Sequence, residues 1–294
     1  MTTRDLRHFL IELEADRSLL EPDQFRRRMD ALDDLETLFG GLDLPAFGNN
    51  SFPALTHRRA NVIRNQLEGV NSDIYRSIRF ELMRGARPEI LFRWFQTSAS
   101  CDGATCPTPG LAYDYQDELL SGILQLREPE KSHIYPGPEM MFYQPTPVRH
   151  ILRLLSASAL SETDILVDLG SGLGHVPLLA SILTGARSFG IEVEGSYVAS
   201  ARECAQNLCL SRVQFVEQDA QAADLSKGTV FYLYSPFTGS ILTNVLDKLR
   251  NESAARPIRI CTLGPCASIV AKEPWLKAST LPDGEKITLF QRSF

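Results

Sequence analysis

Three glycines spaced two apart stand where an apolar run gives way to a helix-like one. They are Gly170, Gly172 and Gly174, in VDLGSGLGHVPLLA, residues 167–180. Glycine reaches backbone angles closed to other residues, and its missing side chain lets another group approach the main chain. A helix starting straight after such a turn presents N–H groups that lack intrahelical partners. A nucleotide or a carboxylate suits that position. The turn needs a strand before it and a helix after it, and the flanking sequence repeats that pair. ILVDLG (165–170), SFGIEV (188–193), VQFVEQ (213–218), TVFYLY (229–234) and PIRICTL (257–263) read as strands. Helical stretches fall between them: one from about residue 174, then SYVASARECAQNL, then ILTNVLDKLR. Such alternation predicts a parallel sheet covered on both faces. WLKAST and KITLFQRS, joined by LPDGE, predict a terminal hairpin that adds an antiparallel strand.

The sequence upstream has a different grain. Leu6, Phe9, Leu10 and Leu13 fall at helical spacing, and a charged helical segment runs from Pro22 to Leu38 before Gly40-Gly41. LDLPAFGNNSFPAL, residues 42–55, reads as a loop. Ile63, Leu67, Val70, Ile74, Ile78 and Leu82 then step by three or four and make one apolar helix face. Gly85 and Pro88 end it, and EILFRWF reads as a short helix. Residues 97–112 form a Ser/Gly/Pro/Thr-rich loop, which sets the expected boundary between an all-α domain, 1–110, and a sheet domain, 111–294. Within the second, DYQDELLSGILQL reads as helix. IYPGPEMMFYQPTP carries too many prolines for regular structure. Thr146 is then expected to cap a helix with Pro147 in its first turn.

The charge balance narrows the partners. A net charge of -6 and a pI near 5.5 give little electrostatic help with phosphates, which disfavours nonspecific nucleic-acid binding. No leader or membrane-length apolar run is visible, so a soluble, cytoplasmic protein is expected. The six cysteines form three pairs, Cys101/Cys106, Cys204/Cys209 and Cys261/Cys266, spaced more widely than common zinc ligands. No metal site is expected. The cysteines read as reduced and structural, with Cys101/Cys106, in the loop-like run SASCDGATCPTPG, the one pair left open to a metal or a disulfide.

The site residues follow from strand ends. Glu192 ends the second strand, where an acid can accept hydrogen bonds from both ribose hydroxyls. Gln218-Asp219-Ala220 follows the third and puts a carboxylate where an adenine amino group would lie. A dinucleotide fingerprint needs G-x-G-x-x-G, and here His175 or Pro177 stands at its last position.

The pattern Asp168-x-Gly170-x-Gly172-x-Gly174 resembles motif I of the class I S-adenosylmethionine-dependent methyltransferases. The resemblance covers roughly residues 140–294 and implies a Rossmann-like α/β fold, with a mostly parallel sheet and an antiparallel C-terminal strand. It implies that Asp168, Gly170, Ser171, Gly172 and Gly174 hold the methionine part of the cofactor. Glu192 and Val193 then take the ribose, and Asp219 and Ala220 the adenine. The fourth strand ends in Tyr234-Ser235-Pro236-Phe237. Related N-methyltransferases often carry Asn/Asp-Pro-Pro-Tyr/Phe here, and only Pro236 and Phe237 match. Tyr234 and Ser235 become the candidates for orienting the methyl acceptor, with Tyr234 also beside the cofactor.

Upstream, Met141-Phe142-Tyr143-Gln144-Pro145-Thr146 is a candidate pocket wall, with Tyr143 and Thr146 toward the cofactor. Similar segments cover the cofactor in this superfamily, including the histone-lysine methyltransferases of the non-SET class. A turn that merely caps the next helix fits this segment equally well. His175 reads as a solvated or helix-stabilising histidine. The expectation is methyl transfer from S-adenosylmethionine to an unidentified acceptor, a small molecule or protein before RNA. No dedicated base is needed when the methyl group arrives activated. The alternative is a non-catalytic S-adenosylmethionine or nucleotide-binding module with a helical partner-binding region.

Overall fold

The computed structural model describes residues 3–40, 52–85, 89–97, 111–129 and 137–293. The chain divides into two compact units, Met1–Phe80 with Ile90–Cys106, and Glu81–Glu89 with Pro107–Phe294. Cys101, Cys106 and most of the 97–112 loop lie outside the described residues.

The first unit is helical as described. It contains α1 (Thr3–Ala15), two short 3-10 turns (Arg17–Leu20 and Pro22–Gln24), α2 (Phe25–Phe39), most of α3 (Phe52–Met83) and α4 (Glu89–Thr97). The loop expected over 42–55 is helical from Phe52; its earlier part lies outside the described residues. Spacing of three and four buries one stripe of each helix. Leu10, Leu19, Leu35, Phe39, Ile63 and Leu67 meet in one apolar cluster. The stripe read from the sequence continues along α3 through the buried Ile74, Ile78 and Leu82, with Val70 half-buried.

At the middle of this unit lies a charge. Arg28 on α2 is fully buried. Its Nε donates to Asn71 Oδ1 on α3 at 2.6 Å, and Nη1 donates to the carbonyls of Leu19 at 2.7 Å and Glu21 at 2.9 Å. Its guanidinium carbon stands 5.8 Å from the Phe25 ring centroid, within cation–π range. Among the described residues its hydrogen-bond acceptors are all neutral, and its Nη2 has no partner. Burial pushes its pKa down to about 10.

The second unit opens with α5 (Tyr115–Leu124) and α6 (Val148–Ala157). Next come β1 (Ile165–Leu169), α7 (His175–Thr184), β2 (Arg187–Glu192), α8 (Gly195–Asn207) and β3 (Val213–Glu217). β4 (Val230–Tyr234), α9 (Gly239–Ala255), β5 (Arg259–Leu263), α10 (Cys266–Val270), β6 (Leu276–Ala278) and β7 (Thr288–Arg292) complete it. The seven strands lie in the order β3-β2-β1-β4-β5-β7-β6. β1 to β5 pair in parallel, and β7 runs antiparallel to β5 and β6. This is the Rossmann-like α/β sheet with an antiparallel C-terminal strand that the alternation predicts. β1, β4 and β5 are buried almost throughout, whereas edge strand β3 alternates buried and exposed residues. Val167, Leu169, Phe231, Leu233, Ile260 and Phe290 form the heart of the core on one face.

Strand order reverses between β1 and β4. Connections leaving these two strands diverge to opposite sides, which opens a crevice at their carboxyl ends. All the candidate site residues on the sheet side gather there.

Candidate cofactor and acceptor site

The turn after β1 is built from three left-handed glycines, Gly170 (φ +83°), Gly172 (φ +51°) and Gly174 (φ +84°). Each also makes room for a different neighbour. A Cβ on Gly170 would stand 2.3 Å from Pro236 Cβ, and one on Gly174 would stand 2.4 Å from the Phe215 ring. A Cβ on Gly172 would fall 2.0 Å from the ring of Tyr143. The glycine spacing therefore serves the protein's own packing as well as any ligand. Gly174 is the N-cap of α7 and supplies no side-chain cap, so the helix presents uncapped N–H groups at the turn.

Glu192 ends β2 and fastens the turn. Its Oε2 accepts the Gly172 N–H at 2.8 Å, and Oε1 accepts the N–H groups of Val193 at 2.8 Å and Glu194 at 2.9 Å. A carboxylate has about four acceptor positions, so room is left on Oε2 for a hydroxyl. Glu194 is buried and caps α8, accepting from Ser196 Oγ at 2.8 Å. Asp219, exposed after β3, accepts the Gln221 N–H at 2.8 Å. Ala220 beside it is buried.

Asp168 on β1 is 4% exposed. Burial, together with the nearby Glu192 charge, drives its pKa well above the ordinary carboxylate range. In the sheet it stands opposite Tyr232 on β4. The Tyr232 hydroxyl in turn meets Thr146 Oγ1 at 3.0 Å, in the interior. That contact corrects the expectation that Thr146 caps α6. The threonine hydroxyl turns inward, and Asp117 on α5 accepts the Val148 N–H at 2.8 Å instead. The Asp117 carboxyl, pushed up to about 6 by burial, thereby ties α5 to α6.

The proline-rich segment makes a strap along residues 137–147. Met140 bridges Phe237 in antiparallel fashion, the Met141 N–H donates to the Pro236 carbonyl at 3.2 Å, and the Thr238 N–H donates to the Glu139 carbonyl at 2.8 Å. Thr238, the N-cap of α9, makes no side-chain cap bond. Glu139 supplies the cap from 101 positions upstream, accepting the Ser240 N–H at 2.9 Å and Ser240 Oγ at 2.7 Å. Further along, the Tyr143 ring lies on Gly172 and 5.0 Å from the Tyr197 ring. Its hydroxyl meets His175 Nδ1 at 3.1 Å. Burial lowers the His175 pKa to about 4, so the imidazole is neutral at physiological pH. His175, expected to be solvated or merely helix-stabilising, is thus part of the wall.

These elements enclose a cavity of about 500 Å³, within the range of small-ligand sites. Among the sequence candidates, Tyr143, Thr146, Asp168, Gly170, Ser171, Glu192, Val193, Asp219, Ala220, Tyr234 and Ser235 line it. Gly172 and Gly174 shape the turn beneath without being part of the lining. Pro236, in the motif segment after β4, lines it too, as do His175, Tyr232 and Ile241, which the sequence left without a site role. Two hydroxyls on lining residues are buried and without partners, Ser171 Oγ and Tyr234 Oη. Burial raises the Tyr234 hydroxyl to about 12. Ser235, at φ +41°, is engaged on both sides: its Oγ donates to the Leu263 carbonyl at 3.2 Å and accepts the Cys266 N–H at 2.9 Å.

Comparison with known proteins agrees with this geometry. A family model described as histone methylation protein DOT1 matches residues 129–232, the stretch from the strap to β4. A protein-lysine N-methyltransferase of Saccharolobus islandicus (strain REY15A) is 29% identical over 115 residues, covering 37% of this chain and 65% of that protein. The match thus spans just under two thirds of that relative's length. An RNA methyltransferase from Salinibacter ruber, solved with S-adenosyl-L-homocysteine, is 30% identical, covers 51% of this chain and 92% of its own, and gives a TM-score of 0.40. A precorrin-6y C5,15-methyltransferase from Geobacter metallireducens GS-15 is 15% identical, covers 54% and 92%, and gives 0.41.

The chain belongs to the class I S-adenosylmethionine-dependent methyltransferases. Its residues fit that cofactor. Two carboxylates stand at the ends of β2 and β3, and a helix N-terminus lies open at the glycine turn. Among the described residues no helix is long and apolar enough to cross a membrane.

Proposed function

We propose that this protein transfers a methyl group from S-adenosylmethionine to the side-chain amine of a lysine in a polypeptide. One observation carries the proposal: the distribution of charge in the cavity. Among the described residues lining it are four acids, Asp168, Glu192, Glu194 and Asp219, and no lysine or arginine. Although Asp168, Glu192 and Asp219 also serve the cofactor and Glu194 caps α8, their summed field disfavours a phosphate-bearing acceptor at this cavity. A cationic side chain is drawn in. The family model and the Saccharolobus relative, itself a protein-lysine N-methyltransferase, support the same reading.

Within this reading Glu192 and Val193 hold the ribose, and Asp219 and Ala220 the adenine. The glycine turn, Ser171 and Asp168 take the methionine end, with Tyr143 and Thr146 on the strap side. When bound, S-adenosylmethionine supplies a methyl carbon already activated by its sulfonium. The protein has to align the acceptor and exclude water. Tyr234, Pro236, Phe237 and Ile241 form a largely apolar acceptor wall. Against that apolar wall the ammonium gives its proton to water before transfer, and the neutral amine's lone pair is the nucleophile. The Tyr234 hydroxyl stays protonated at neutral pH and acts as a hydrogen-bonding group, not as a base. Because the Ser235 hydroxyl is already held by backbone, orienting the amine falls to Tyr234.

The test uses radiolabelled S-adenosylmethionine with lysine-rich protein and total RNA offered separately. Label is expected in protein, with mass spectrometry placing one or more methyl groups on lysine. Label in RNA alone, or binding of S-adenosylhomocysteine with no transfer to protein, would sink the proposal.

A further inference from the structure

The outer side of the strap is unusually apolar for a surface. Phe142 is 85% exposed, and its neighbour Met141 is 52% exposed. Both line the cavity. Tyr113, 45% exposed, is tied to the same strap, donating its hydroxyl to the Pro145 carbonyl at 2.9 Å. These side chains are not loose. Main-chain bonds from Met141 and Glu139 and the Glu139 cap on α9 fix the backbone beneath them. A large aromatic held in water by a braced backbone costs solvation without gaining packing, and contiguous exposed apolar surface of this kind marks interaction sites. The surface continues into the cavity, whose charged lining residues are all acidic. Glu128, exposed, lies near enough to Tyr113, Tyr143 and Tyr197 to act on all three electrostatically.

We infer that Met141, Phe142 and Tyr113 form the docking surface for the polypeptide segment next to the acceptor lysine, seating an apolar side chain of that segment while the lysine enters the acid-lined cavity. The inference rests on the reading of the acceptor as a lysine and adds what selects among lysines. An apolar anchor gives affinity, and the acidic cavity gives direction, because a flanking acid would be repelled where a flanking aliphatic is held.

The probes are two fluorescent peptides of equal length and charge, each with one lysine, flanked in one by leucines and in the other by glycines. Binding to the protein loaded with S-adenosylhomocysteine is read by anisotropy, and methyl transfer by radiolabel. The leucine peptide is expected to bind at least tenfold more tightly. Phe142→Ser should erase that preference, and Phe142→Leu should keep most of it. Leu281→Ser, at another exposed apolar position 90% accessible, should change nothing. Thermal melts of the variants should match the parent, since Phe142 makes little of the core. Equal binding of the two peptides, a preference that survives Phe142→Ser, or displacement of the leucine peptide by a single-stranded RNA oligonucleotide would overturn the inference. A preference seen in binding with no transfer to either peptide would support the surface while refuting lysine methylation at this site.

Discussion

Arg28 in one unit and Asp168 in the other are both buried ionisable side chains, and the two are handled in opposite ways. Arg28 in the helical unit is surrounded by acceptors matched to it, two backbone carbonyls and the Asn71 side chain, and packs over Phe25. Asp168 in the sheet unit lies at the floor of a cavity, near a second carboxylate that makes its own charge harder to hold. The first arrangement draws its acceptors from its own unit, three for Nε and Nη1, with Nη2 left without a partner. The second has no lysine or arginine in the cavity lining to balance it, so its carboxyl resists ionising. A buried ionisable group held mainly by its own fold is architecture, whereas one set against a like charge at a pocket marks a candidate site. Substitutions at the two positions should therefore move different observables.

The largest effect is expected at Arg28. Arg28→Ala leaves Asn71 Oδ1 and the carbonyls of Leu19 and Glu21 without their donor, and opens a cavity across α2 and α3. Each buried acceptor left unsatisfied costs about 1–3 kcal/mol, before the cavity is counted. A chemical denaturation curve should show the loss, while calorimetric affinity for S-adenosylhomocysteine in the remaining folded protein stays at the parental value. A comparable loss of cofactor affinity would break the distinction drawn above.

Next come the two ends of one hydrogen bond, Gly172 and Glu192. Gly172→Val puts a β-branched residue at φ +51°, a strain of about 1–3 kcal/mol, and drives the Tyr143 ring off the turn. Binding of S-adenosylhomocysteine is expected to fall below detection while the melt shifts only modestly. Gly185→Ala is the control, since Gly185 is also left-handed, at φ +68°, but lies at the far end of α7, where a Cβ would make only ordinary contacts at 3.7 Å with Arg212 and Glu162. It should lose a little stability and no affinity. Glu192→Ala should weaken binding by about 2–4 kcal/mol, as hydrogen bonds to a charged group go. Glu194→Ala is a less innocent comparison than its sequence position suggests. It caps α8, so about 1 kcal/mol of stability goes with it. Affinity should still separate the two acids clearly, and equal losses would mean that the ribose site is misplaced.

The comparison also shows which parts of the molecule could be read in advance. The alternation of strands and helices, the glycine turn and the acids ending β2 and β3 are local patterns, and local patterns survive in a one-dimensional string. Arg28 could not be read this way. FRRRMD looks like a solvated face, and only the approach of Asn71, 43 positions away, makes a buried site for it. The same holds for Glu139 capping α9 and for Pro236 lying on Gly170. Thr146 was misjudged for a related reason: its sequence context is that of a helix cap, but Tyr232 from a distant strand competes for its hydroxyl and wins. The strap as a wall was half legible, because its prolines excluded regular structure while leaving a mere turn equally open.

The smallest effect expected is at Asp168, and its sign sharpens the contrast with Arg28. Burial and the Glu192 charge raise the folded-state pKa of Asp168 above its unfolded value. The unfolded chain therefore loses this proton at a lower pH than the folded one does. Above the unfolded pKa, near 3.9, the raised group subtracts from stability. The penalty grows with pH until the folded pKa is passed and then levels off. Asp168→Asn keeps the shape and removes the ionisation, so the ligand-free protein should become more stable, by roughly 0.5–2 kcal/mol near neutral pH. Below pH 4 the gain should vanish. The cofactor carries positive charge at its sulfonium and amino groups, so the same substitution should weaken S-adenosylmethionine binding. Stability measured by denaturation across pH, with and without cofactor, checks both halves. An Asp168→Asn protein that is less stable than the parent at neutral pH would show that the buried carboxylate is structural after all, and that the two units treat these ionisable groups alike.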